Sequence, residues 1–166
     1  MKLRKKLAIV ALFLSALVGI PWTVWVIVTP NWVFYVTTDK PVYNVGELIQ
    51  ITVTLENRGY IPHSFTSPIS EPIEIYIAYW IPGFGTTVWW SGHTLNSTPF
   101  TLLPNQKLTR TFVWDQTDIA WSAPYNHTGK PGEYRITAFI PRTNLYPSYD
   151  NLFFDDATRF NITAPA

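Results

Sequence analysis

From Val33 onward the apolar positions of the chain recur at every second residue. Ile49, Ile51, Val53 and Leu55 alternate with Gln50, Thr52, Thr54 and Glu56 without a break. That period puts one side of a segment against a core and the other in water, as in a β-strand. Ile73, Ile75, Ile77 and Tyr79 alternate in the same way with Glu74, Tyr76, Ala78 and Trp80. Tyr134, Ile136, Ala138 and Ile140 alternate with Glu133, Arg135, Thr137 and Phe139. Shorter strands are predicted at 33–38, 86–91, 107–114 and 158–164. Turn formers fill the gaps: Lys40-Pro41, Asn44-Val45-Gly46, Asn57-Arg58-Gly59, Pro82-Gly83, Pro104-Asn105 and Pro131-Gly132. A sustained helical period is absent from this part of the sequence.

About seven strands at this spacing predict an all-β fold over residues 33–166, an immunoglobulin-like antiparallel β-sandwich. A closed barrel is the structural alternative. The expected core is Ile51, Val53, Leu55, Ile75, Ile77, Phe112, Trp114, Tyr134 and Ile136. Gly132-Glu133-Tyr134 opens a strand as a tyrosine corner does, with the phenol bonding back across the preceding connection.

Ahead of the alternating region, residues 7–28 form an uncharged run of 22 residues. As a helix it would extend about 33 Å, enough to cross the hydrocarbon core of a bilayer. Lys2, Arg4, Lys5 and Lys6 flank it on one side only, in the segment 1–6. The positive-inside rule therefore leaves 1–6 in the cytoplasm and exports the chain beyond residue 28. Trp22, Trp25 and Trp32 gather towards the other end, where amphipathic rings favour the outer interface. The competing reading is a cleaved signal peptide, which needs small residues at the −3 and −1 positions. Ala16 and Gly19 lack that partner, since Leu14 and Leu17 stand two residues before them. An uncleaved anchor is the expectation.

Composition narrows the picture further. Aromatic residues make up 16% and charged residues 14%, which excludes a disordered chain. Without the four cytoplasmic basic residues, eight Lys and Arg face eleven Asp and Glu, so the exported part is mildly acidic. It has no basic stripe for nucleic acid. Cysteine is absent, which removes disulfides, thiolate nucleophiles and thiolate-ligated metals. An external domain that relies on its core alone fits a prokaryotic cell surface.

Two stretches carry family resemblances. Thr38-Asp39-Lys40-Pro41-Val42-Tyr43-Asn44-Val45-Gly46-Glu47 resembles the opening of macroglobulin-type sandwich domains. A longer series resembles the BsuPI family of intracellular proteinase inhibitors, over roughly residues 49–140. It comprises Leu55-Glu56-Asn57, Val88-Trp89-Trp90-Ser91, Leu103-Pro104-Asn105-Gln106, Phe112-Val113-Trp114-Asp115 and Pro131-Gly132-Glu133-Tyr134. The resemblance implies a sandwich and a proteinase as partner. This chain departs from the family in being exported and in its longer connections at 80–86 and 116–130. No inhibitory residue carries over.

Catalytic motifs are missing from the sequence: there is no phosphate-cradling Gly loop, no G-x-S-x-G elbow and no H-E-x-x-H helix. The expectation is a protein that is not an enzyme and holds no cofactor. In immunoglobulin order the B–C, D–E and F–G connections share one pole. His63, His93, Asp150, Asp155 and Asp156 would gather there as a metal site, or simply face water as solvated loop residues. The same connections, at 60–70, 91–99 and 142–157, hold Tyr60, Phe65, Tyr146, Tyr149 and Phe153 as candidates for contact with a protein partner. Asn96, Asn126 and Asn161 each open an Asn-x-Ser/Thr acceptor for glycosylation. The function expected is a membrane-anchored, extracytoplasmic protein-binding domain of proteinase-inhibitor type. The alternative is a structural subunit of the cell surface or of a filament.

Overall fold

A computed structural model of the chain describes residues 31–81, 84–91, 95–117, 129–141 and 152–164. The expected anchor, 7–28, lies outside them. No helix among the described residues is long and apolar enough to cross a membrane. The fold is all-β: β1 (Trp32–Thr38), β2 (Val42–Asn44), β3 (Ile49–Asn57), β4 (His63–Ile69), β5 (Glu74–Ile81), β6 (Phe84–Trp90), β7 (Leu95–Leu102), β8 (Lys107–Trp114), β9 (Gly132–Pro141) and β10 (Leu152–Thr163).

These strands form a sandwich of a three-stranded sheet, β1-β3-β8, and a five-stranded sheet, β2-β10-β9-β5-β6. A separate two-stranded ribbon joins β4 to β7. The described residues therefore hold ten strands where about seven were expected. Among the described residues the pairings are antiparallel except one: β2 runs parallel to β10, with Ile162 opposite Tyr43. The parallel pair arises because the first strand changes sheets. β1 pairs with β3, the chain turns at Asp39-Lys40-Pro41, and β2 then joins the opposite sheet.

The inner faces meet in one core, in which all nine expected core residues are buried. Its centre is aromatic. Trp114, Tyr134 and Phe160 lie with ring centroids 5.5–6.4 Å apart, and Tyr134 stacks on Phe160. Each buried polar tip has a partner, as burial of a phenol or indole requires. The Tyr134 hydroxyl donates to the Lys130 carbonyl at 2.9 Å, closing the tyrosine corner, and Trp114 Nε1 donates to the Thr117 carbonyl at 2.8 Å.

Alternation predicts a wet outer face on β5 and β9, and here the structure differs. Glu74 and Phe139, opposite one another on that face, are both buried. Tyr76 lies 6.0 Å from Phe139, and Trp90 Nε1 donates to Glu74 at 2.9 Å. Aromatic residues at the nominally polar positions draw that face into a second, smaller packed region.

Candidate functional site

Strand direction defines two poles. β1, β5, β8 and β10 begin at the same end, where β3, β6 and β9 finish. This end, the proximal pole, receives the chain from the N-terminal segment at Asn31 and Trp32. The distal pole carries the β2–β3 turn and the end of β8. A buried amide side chain organises each pole.

At the proximal pole Asn57 is fully buried. Its Nδ2 donates to the carbonyls of Ile61 and Leu102, both at 3.0 Å, and its Oδ1 accepts from Gly59 N at 2.9 Å. Its backbone is engaged too: Asn57 N donates to the Gln106 carbonyl at 3.0 Å, and Asn105 N to the Asn57 carbonyl at 2.7 Å. Gln106 Oε1 then accepts from Leu103 N at 2.9 Å. The turns at 58–61 and 103–106 are thereby locked to one residue. The apolar side chains they turn outward are Tyr60, 70% exposed, and Leu103, 55% exposed. Arg58 and Lys107 flank them, both paired with Glu56, at 3.0 and 3.6 Å. Arg58 N also donates to the Asn31 carbonyl at 2.7 Å, so the incoming chain is stitched to this pole.

At the distal pole Gln116 does the equivalent work. It is buried; Nε2 donates to the carbonyls of Asn44 at 2.8 Å and Glu47 at 2.7 Å, and Oε1 accepts from Gly46 N at 2.9 Å. Gly46, at φ +82°, supplies the left-handed step that the turn needs. An ion pair between Lys40 and Glu47 crosses the same turn. Beside it the Tyr43 hydroxyl donates to Asp39 Oδ1 at 2.5 Å and accepts from Lys40 N at 3.0 Å. Burial, and next the bond to Asp39, push the Tyr43 phenol up to about 12. That same bond is the main cause holding the Asp39 carboxyl below the usual carboxylate range. The hydrogen bond between Lys40 and Glu47 lowers the glutamate and raises the lysine. The apolar side chains exposed here are Val45 and Leu48 of the turn and Val42 of β2, with Val113 of β8 opposite Gln50 in the register.

Segments 60–70 and 91–99, expected as loops, are largely the strands β4 and β7. The expected loop 142–157 ends earlier, because β10 begins at Leu152. Phe153, Asp155 and Asp156 are thus strand residues. Asp156 Oδ2 accepts from Val36 N at 2.9 Å, satisfying the open edge of β1 across the gap between the sheets. Asp155 is exposed. His63 packs its ring 5.5 Å from Trp32, and its Nε2 is buried without a hydrogen-bond partner among the described residues. Among the described residues no three His, Cys, Asp or Glu side chains come together as a metal site. His93, Asp150, Tyr146 and Tyr149 lie outside the described residues. Phe65 packs with Trp32, Phe100 and Phe154 at 5.7–6.4 Å, in an aromatic cluster between the ribbon and the sandwich. Of the glycosylation acceptors, Asn96 on β7 and Asn161 on β10 are exposed, and Asn126 lies outside the described residues.

Sequence reasoning missed Asn57 and Gln116. A signal was present for the first: Leu55-Glu56-Asn57 and Leu103-Pro104-Asn105-Gln106, two of the segments carrying the family resemblance, are the partners in one network. Gln116 follows Trp114-Asp115 and had no such signal.

The class defined by these observations is an all-β sandwich with hydrogen-bonded turns at both ends. No family model matches the chain, and no curated protein matches it. Among solved structures it is similar to the β-glucosidase EmGH1 of Erythrobacter marinus, at 13% identity and a TM-score of 0.45, over 81% of this chain and 16% of that one. It is also similar to a β-glucosidase of Listeria innocua, at 16% identity and a TM-score of 0.45, over 82% of this chain and 16% of that one. A third likeness is to the CARDB domain of a Pyrococcus furiosus protein in complex with di-metal ions, at 18% identity and a TM-score of 0.40, over 83% of this chain and 90% of that one. The chain thus spans about a sixth of the length of the two glucosidases. At these identities the likeness is one of fold alone.

Proposed function

We propose that this chain is a membrane-anchored, extracytoplasmic binding domain of immunoglobulin-like topology, which presents its distal turn to a protein partner. The immunoglobulin-like reading is supported by the sheet order β2-β10-β9-β5-β6 facing β1-β3-β8, and by a first strand that changes sheets. Anchoring is supported by the one-sided basic cluster and the 22-residue apolar run before Trp32. The observation that carries the binding reading is the clamp of Gln116 on the turn 44–47. It holds a turn that exposes Val45 and Leu48 with three side-chain hydrogen bonds, so little conformational freedom is lost when a partner closes over it. A proteinase is the partner class that the BsuPI resemblance supplies. A rigid exposed turn suits a partner whose cleft takes apolar side chains.

The test has two parts. Protease added to intact cells removes the domain and leaves a membrane stub; a domain protected until lysis reverses the topology. The double variant Val45→Asp with Leu48→Asp then loses partner capture from the cell envelope, while its thermal unfolding stays near that of the parent. Capture unchanged by the double variant removes the distal turn as the contact.

One observation favours a second reading, self-association as a surface subunit. Strand β8 pairs only with β3 among the described residues, leaving an eight-residue edge that includes exposed Val113. A concentration-dependent rise in solution mass, abolished by Val113→Lys, supports that reading over a monomeric binder.

A further inference from the structure

The proximal pole is built for a different surface from the distal one. Three residues, Thr29, Pro30 and Asn31, separate the end of the apolar run at Val28 from the first strand at Trp32. Even fully extended they reach roughly 10 Å. Slack is reduced further because the Asn31 carbonyl is bonded to Arg58 N at 2.7 Å. Asn31 therefore belongs to the pole and is not part of a free linker. Whatever holds residues 7–28 also holds this face of the sandwich within about that same distance.

The chemistry of the face matches that position. Tyr60 and Leu103 project from two turns that are both locked onto buried Asn57. Arg58 and Lys107 lie at their bases, each with about half of its side chain exposed, and share the single carboxylate of Glu56. The result is one phenol and one aliphatic tip above a surplus of one positive charge. That is the composition of the interface between headgroups and hydrocarbon, where tyrosine rings settle and cationic side chains reach phosphate. Trp32, half-buried at the start of β1, borders the same face.

We infer that the proximal pole is a lipid-contacting platform. The sandwich stands on the outer leaflet through Tyr60, Leu103, Arg58 and Lys107, which sets the domain upright and turns the 44–48 turn away from the membrane. This inference rests on the anchored reading and adds the lipid surface as a second partner.

The natural absence of cysteine makes the test direct. Tyr60→Cys, Leu103→Cys and, as distal reference, Val45→Cys are each made in the full chain. Each is labelled with a nitroxide and reconstituted into vesicles of phosphatidylcholine with phosphatidylglycerol. The spin label's collision rates with oxygen, which partitions into lipid, and with a water-soluble nickel chelate are compared. The expected result is an oxygen-to-nickel ratio several-fold higher at 60 and 103 than at 45. A protein that floats with the vesicles but gives the same ratio at all three sites overturns the platform and leaves the anchor standing. A protein that fails to float with the vesicles overturns both.

Discussion

The side-chain amide of Asn57, at the end of β3, donates to the carbonyl of Leu102, at the end of β7, across 3.0 Å of protein interior. That bond ties the β4–β7 ribbon, which belongs to neither large sheet, to the sandwich. Because Asn57 is fully buried, its removal strands the Leu102 carbonyl and the Gly59 N–H in the interior and frees the part-buried Ile61 carbonyl. Asn57→Ala should destabilise the domain by about 2–4 kcal/mol, measured by urea unfolding. Loss of less than about 0.5 kcal/mol, the range of ordinary surface changes, would show that the network is dispensable.

The core itself gives a paired comparison. Ile75 is fully buried on the inner face of β5, whereas Thr52 sits half-buried on the outer face of β3. Ile75→Ala should cost about 2–5 kcal/mol and Thr52→Ala well under about 1 kcal/mol. Equal losses would mean that the alternation of buried and outer positions has been misread.

Gly132 combines two constraints. Its φ of +154° lies where side chains are rarely found, and a Cβ there would come within 2.6 Å of Tyr79 Cε2. Gly132→Ala should therefore destabilise by about 2 kcal/mol or more. Adding Tyr79→Ala should return part of that loss, so the double variant is less destabilised than the sum of the singles. Strict additivity in the cycle would place the whole cost in the backbone.

The distal pole should show itself in pH dependence. The Asp39 and Glu47 carboxyls are lowered in the fold, so their contribution is present above the ordinary carboxylate range and is lost as pH falls through their folded values. Tyr43 has the opposite sign. Its phenol rises to about 12, so its contribution is complete below the ordinary tyrosine value near 10 and is lost as pH climbs from there to about 12. Ultraviolet difference titration of the parent against Tyr43→Phe should isolate the late ionisation step of Tyr43. In Asp39→Asn, which removes the charged acceptor, that step should move towards lower pH. A titration identical in the two proteins would separate Tyr43 from Asp39.

Alternation alone carried the strands β3, β5, β8 and β9, their inner faces and the nine core residues. A period of two is a local property, because each residue's face follows from its neighbours whatever the partner strand is. The tyrosine corner and the turn at Gly46 were readable for the same reason. The ribbon was not. His63-Ser64-Phe65-Thr66-Ser67-Pro68-Ile69 is largely polar, and β4 and β7 each contain a proline, Pro68 and Pro99. Proline argues against a central strand, yet a two-stranded ribbon leaves every strand one free side on which a missing N–H goes unneeded. Asp155 and Asp156 read as loop carboxylates until β10 was placed beside β1, when Asp156 became the acceptor for an edge N–H of Val36. The buried outer face at Glu74 and Phe139 and the two amide clamps belong to the same group. Each depends on residues distant in sequence that meet only when the sheets close, as with Gln116 and Asn44, which lie 72 positions apart. Local period determines which segments are strands; three-dimensional closure decides which polar side chains become the joints that hold the turns in place.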